Sequence, residues 1–141
     1  MQEGKSTCGP VTLLNILHLK GDFSRTEEEL SQLCETKLNV GTSHENMVKA
    51  AKHLGLEVVE EKDGGTMQDV EQHIDNGNFV VINYFHAFSQ NGHYGLVSEY
   101  EKIAFYLRDC SLGLLRLRRE YFKKYWHDQD RNSYGWFMAV K

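Results

Sequence analysis

Residues 6–19 read STCGPVTLLNILHL, and the character of this stretch constrains everything around it. Val11, Leu13, Leu14, Ile16, Leu17 and Leu19 fall on most sides of a helix rather than on one stripe, which is the pattern of a helix buried in a core. Pro10 lacks an N–H and is accommodated only in a first helical turn, so the helix must begin at or just after Cys8. Gly21 supplies the stop. The stretch therefore predicts a buried central helix with a cysteine at its N-terminus.

Working outward, the first half of the chain reads as helical and the second half as strand-rich, which predicts an α+β fold. A second helix is expected over Thr26 to Glu35. In GTSHENMVKAAKHLGLEV (residues 41–58), Thr42 stands three residues before Glu45 as a capping box, Met47, Val48, Ala51 and Leu54 form a stripe, and Gly55 ends the helix. A fourth helix is expected from Met67 to Asp75, stopping at DNGN. From there FVVINYF, YGLVSEY, IAFYLRD, GLLRL and YGWFMAV read as strands, with a short helix over Glu120 to Trp126. The connections are short, so the strands should pair antiparallel.

Composition excludes several classes. At 141 residues with 40% hydrophobic content the chain is the size of one domain spanning 1–141. Sixteen basic residues against twenty acidic ones give a net charge of −4, and no Lys/Arg stripe offers a track for nucleic acid. No apolar run reaches the roughly 20 residues that span a bilayer, and the N-terminus lacks the regions of a signal peptide. A cytoplasmic protein without a membrane segment is expected. Three widely spaced cysteines match neither a disulfide scaffold nor a CxxC zinc site, and no HExxH motif occurs, so neither a metal nor a cofactor is expected.

Most isolated cysteines are small buried hydrophobes. Cys8 differs in position, because at a helix N-terminus unpaired N–H groups and the macrodipole favour a thiolate, which is the nucleophilic form. Nucleophilic chemistry also needs a base, a group to orient it and an oxyanion donor. Of seven histidines, His18, His44, His53 and His73 fall in expected helices, and His127 is expected in solvent. His93, after a Gly-bearing loop and at the start of a strand, is the candidate base, with His86 the runner-up. Asp109 ends the next strand. If that strand pairs with residues 93–100, Asp109 returns beside His93 and orients it; alone, it reads equally well as the turn former of DCSLG. Gln2 carries an amide N–H that suits an oxyanion. Cys34, on a helical apolar face after Leu30 and Leu33, reads as core, and Cys110 as a thiol made less reactive by the adjacent Asp109 charge.

With these residues in order, the chain resembles the papain-like peptidases, specifically the bacteriocin-leader, or double-glycine, peptidase family found at the cytosolic N-terminus of some ABC exporters. The resemblance implies a papain-like fold, with Gln2 as oxyanion donor, Cys8 in CGP as nucleophile, His93 in GHYGLV as general base and Asp109 as orienting aspartate. Residues 41–58 and LRREYFKKYW are similar to further family segments. Where the family usually has Asp-Pro, this chain has Asp109-Cys110. The implied activity is peptide hydrolysis through a Cys8 thioester, after a double-glycine leader. A peptide or leader peptide would be the substrate, and the chain could be a domain of a larger exporter. An inactive peptide-binding module and a transpeptidase remain as alternatives.

Overall fold

The computed structural model describes residues 8–35, 42–86, 91–110, 112–128 and 133–141. Helix α1 spans Cys8–Leu19, with Pro10 in its first turn, where the missing N–H costs no intrahelical bond. Thr12, Leu13, Ile16 and Leu17 are all buried, as a central helix requires. The start of α1 is pressed against the start of the third helix: a Cβ on Gly9 would lie 2.9 Å from both Met47 Sδ and Thr42 Oγ1. Any larger residue at position 9 would require Met47, Thr42 or the start of α1 to shift. Gly21 ends the helix in the left-handed region, at φ 88°.

Helix α2 (Glu27–Leu33) is shorter than expected at both ends, because Thr26 caps it from outside by accepting from Glu29 N and Cys34 forms its C-cap. Helix α3 spans His44–His53. Its cap is Ser43, which accepts from Asn46 N, so the cap lies one residue after the expected Thr42 and pairs with Asn46 rather than Glu45. The charged strand β1 (Val58–Lys62) was not anticipated, since Glu60, Glu61 and Lys62 break any apolar alternation. Helix α4 (Met67–Asp75) has the expected bounds and a capping box between Thr66 and Asp69.

Strands β2 (Phe79–His86), β3 (Asn91–Tyr100), β4 (Ala104–Asp109) and β5 (Gly113–Arg118) follow, then α5 (Arg119–Tyr125) and β6 (Phe137–Val140). All strand pairs are antiparallel, in the order β1-β6-β2-β3-β4-β5. The central strands alternate between two cores. Val81, Tyr94, Leu96, Met138 and Val140 pack with α1, α2 and α3, whereas Val80, Ile82, Tyr84, Val97, Phe137 and Ala139 pack with Val70 of α4 and Phe122 of α5. Each fully buried aliphatic side chain contributes on the order of 1.5–3 kcal/mol, so both layers hold the sheet. The result is an α+β fold with the α1 N-terminus brought against β3.

Candidate active site

Cys8, the first residue of α1, meets His93 of β3 with Sγ 3.2 Å from Nδ1, across 85 residues of sequence. The histidine is held by its strand: Asn83 Nδ2 donates to the His93 backbone carbonyl at 3.2 Å, and Tyr84 lies directly opposite in the β2–β3 register. Opposed residues share a sheet face. The Tyr84 and His93 rings accordingly stack, with centroids 5.7 Å apart and planes 28° from parallel.

Asp109 is the last residue of β4 and pairs with Gly95, two positions along β3 from His93. Its side chain is fully buried. Oδ2 stands 3.9 Å from His93 Nδ1, an ion-pair distance rather than a hydrogen-bond distance. That oxygen also accepts from the Tyr84 hydroxyl, and Oδ1 accepts from Leu112 N at 2.9 Å. The bond to Leu112 N is the one a turn aspartate makes, while the Oδ2 edge faces the histidine. The two roles considered for Asp109 therefore fall on different oxygens of one carboxylate. Tyr84 is the residue that sequence reasoning missed. Its signal was available in the hairpin, since fixing the register of FVVINYFH against HYGLVSEY sets residue 84 across from residue 93. Gly95 makes the bridge to β4 possible, because a Cβ there would sit 3.0 Å from Tyr84 Cε1 and 2.8 Å from Leu107 Cδ1.

Gln2 lies outside the described residues. The backbone of His86 pairs with Asn91 in the hairpin, two residues along β2 from Tyr84. The expectation for His127 is corrected: it is buried, stacked on Phe85 and bonded through Nδ1 to the Asp128 carbonyl at 2.6 Å. It also forms an isolated β-bridge with Tyr134, which the sequence did not reveal.

Cys110 is also corrected. It is not an isolated turn thiol but forms a disulfide with Cys8, with Cα atoms 5.3 Å apart at a sequence separation of 102. Its Sγ lies 3.8 Å from His93 Nδ1. Ligand atoms of Cys8, His93 and Cys110 thus all lie within 4.8 Å of one another. With both sulfurs reduced these are donors that suit a soft cation such as zinc; joined to each other they present no thiolate pair. Cys34 differs from both, as a buried reduced thiol that burial pushes up to about 12.

A cysteine at the start of a buried helix, facing a histidine on an antiparallel sheet, defines the class of papain-like thiol peptidases. The model of the peptidase C39 family matches residues 1–129, and the chain belongs to that family. Solved structures agree on the fold. The peptidase domain of Streptococcus ComA, a bifunctional ABC transporter involved in quorum sensing, superposes with a TM-score of 0.73 at 22% identity, covering 99% of this chain and 93% of that one. A C39-like peptidase from Bacillus anthracis gives 0.75 at 16% identity, over 100% and 91%. A double-glycine-motif protease from an AMS/PCAT transporter, solved with its leader peptide, gives 0.66 at 17% identity, over 99% and 86%. No curated protein matches.

Proposed function

We propose that the chain is a cysteine peptidase in which reduced Cys8 attacks a peptide carbonyl and His93 takes the thiol proton at Nδ1, then delivers it to the leaving amine. The observation that carries this reading is the 3.2 Å approach of Cys8 Sγ to His93 Nδ1 at the start of a buried helix. Asp109 stabilises the imidazolium through its nearby Oδ2, and Tyr84 keeps the ring plane and the carboxylate in register. The Cys8 backbone N–H and the Gln2 amide are the oxyanion donors, and hydrolysis of the thioester completes turnover.

A peptide ending in a double glycine is the substrate suggested by kinship with the leader-peptide protease. Beside Tyr84 the surface opens into a groove of about 400 Å³ lined by Leu112, Leu115, Leu117 and Tyr121, with Arg116 and Arg118 also on its wall. That groove suits apolar side chains of an extended or helical peptide. No helix among the described residues is long and apolar enough to cross a membrane. The reading places the domain, residues 1–141, in the cytoplasm, acting alone or as part of an exporter.

The test is incubation of the reduced protein with a peptide library that includes double-glycine sequences, with products read by mass spectrometry. Cleavage after the glycines by the wild type but not by Cys8→Ala is expected. Binding of peptides without cleavage would instead identify an inactive binding module, and products joined to an added amine would identify a transpeptidase.

A further inference from the structure

We infer that Cys110 is the resolving thiol of an oxidative modification site that reversibly locks the nucleophile Cys8 as a disulfide. This rests on the peptidase reading above only in what it says about activity; the pairing itself stands on the geometry. The two cysteines come from separate elements that meet beside one core, the α1 N-terminus and the turn after β4, and their Cα atoms sit 5.3 Å apart. That separation is within the range a disulfide spans without backbone movement. Both backbones are anchored independently of the sulfurs. Cys8 sits in α1, whose start is fixed by the close approach of Gly9 to α3, and its carbonyl accepts from Thr12 Oγ1 at 2.7 Å. Cys110 follows Asp109, which is tied to Tyr84 and Leu112. The thiols therefore meet whether or not they are bonded.

Their exposure differs in the way such a pair needs. Cys8 is buried, while Cys110 is only partly buried. A peroxide oxidant converts the Cys8 thiolate to a sulfenic acid, releasing hydroxide. The Cys110 thiolate then attacks that sulfur, the S–O bond breaks, the S–S bond forms and water leaves with the proton supplied by the His93 imidazolium or solvent. Two electrons pass to the peroxide. Reversal uses a dithiol, which attacks the less buried Cys110 sulfur and expels Cys8 as thiolate; its second thiol then closes on the first and frees Cys110. The helix N-terminus and His93 favour Cys8 as the leaving sulfur in that exchange. While the bond persists, the sulfur that should attack a carbonyl has no lone thiolate, so turnover is zero. In a protein that works in the cytoplasm, as the reading above has it, one bonded pair at the nucleophile fits a transient, signalling disulfide better than a structural one.

The experiment reduces the protein with a dithiol, removes the reductant, adds EDTA so that no cation bridges the thiols, and titrates hydrogen peroxide. Peptide mapping without reduction should show the Cys8 and Cys110 peptides linked and Cys34 still a thiol. Turnover of a double-glycine peptide should vanish in parallel and return to at least 80% with dithiol, an order-of-magnitude expectation for a bonded pair that does not over-oxidise. Cys110→Ser should cleave like the wild type when reduced, form no link, and recover only a small fraction of turnover after the same peroxide, because its Cys8 proceeds to the sulfinic acid. The inference is overturned if no Cys8–Cys110 peptide forms, or if Cys110→Ser recovers as fully as the wild type. If reduced wild type cleaves nothing, the peptidase reading fails instead, and the mapping still decides the pairing.

Discussion

Cys8 and Cys34 are both buried cysteines at helix ends, but the ends are opposite. Cys8 opens α1, where the macrodipole and first-turn N–H groups favour negative charge; Cys34 closes α2 as its C-cap, where the carbonyl ends disfavour it. Around Cys8 stand His93, Asp109, Tyr84 and Cys110, whereas Cys34 packs among Leu30 and other residues of the helical core. Burial alone pushes the Cys34 thiol up to about 12. The difference teaches that burial silences a thiol only where nothing opposes it. What matters is which end of a helix it caps and whether a base is within reach.

The comparison is broken most completely at the nucleophile. Cys8→Ala should abolish turnover, by at least about 10³-fold, while leaving thermal stability close to that of the reduced wild type, since the substitution is small and the backbone there is fixed by Gly9 and Thr12. Peptidase assays and a melting curve in dithiol check both halves. Retained turnover would move the nucleophile elsewhere.

Asp109 comes next. Asp109→Asn should lower turnover by about 10- to 1,000-fold, or ~1.4 to 4 kcal/mol of barrier, and Asp109→Ala should be worse. The structure adds a stability effect that the turn alone would not demand. In the Asn variant Oδ1 can still accept from Leu112 N, but the amide then offers Tyr84 an N–H in place of a charged acceptor, so the hydroxyl must reverse its role and the variant should lose on the order of 1–3 kcal/mol. Turnover of the Ala variant within about twofold of wild type would remove Asp109 from the mechanism.

Smaller still is Tyr84→Phe. The ring stack on His93 survives but the hydroxyl that holds the carboxylate is gone, so kcat should fall about 3- to 10-fold with KM little changed. A purely structural tyrosine would cost stability and leave kcat alone. The smallest effect on activity belongs to Cys34→Ala, which should keep turnover within about twofold of wild type. Its signature is in alkaline stability. The unfolded thiol loses its proton from about 9.0 while the folded one keeps it to about 12, so the protonated thiol's contribution is fully present below that window and is lost as pH rises through it. Denaturant titrations between pH 8 and 11 should therefore show a shallower decline in the variant.

Much of this contrast was legible before any coordinates. The apolar run after Pro10 specified a buried helix with Cys8 at its start, and the DNGN stop set the end of α4 where it is observed. The Gly-His strand context singled out the histidine that meets Cys8. What escaped notice depended on tertiary pairing. Strand β1 carries Glu60, Glu61 and Lys62, the charges that protect a sheet edge, and it is defined by hydrogen bonds to β6 rather than by its own pattern. Tyr84 acquires a role only once β2 and β3 are in register. Cys110 meets Cys8 across 102 residues, a contact that no local signal encodes. His127 was read as exposed because it follows a short helix beside Asp128, but its neighbours in space are Phe85 and Tyr134.

The most direct test of the central claim is the alkylation rate of each cysteine in the reduced, folded protein, read by peptide mapping from pH 5 to 9 with iodoacetamide. The account predicts that Cys8 is labelled rapidly already near neutral pH, with a midpoint below the roughly 8.5 of a free cysteine, and that Cys34 stays unlabelled until the protein unfolds. In His93→Ala the Cys8 profile should move back toward that free value. A Cys8 that is labelled no faster than Cys34, or whose profile is the same with and without His93, would contradict the claim that this helix start holds an activated nucleophile.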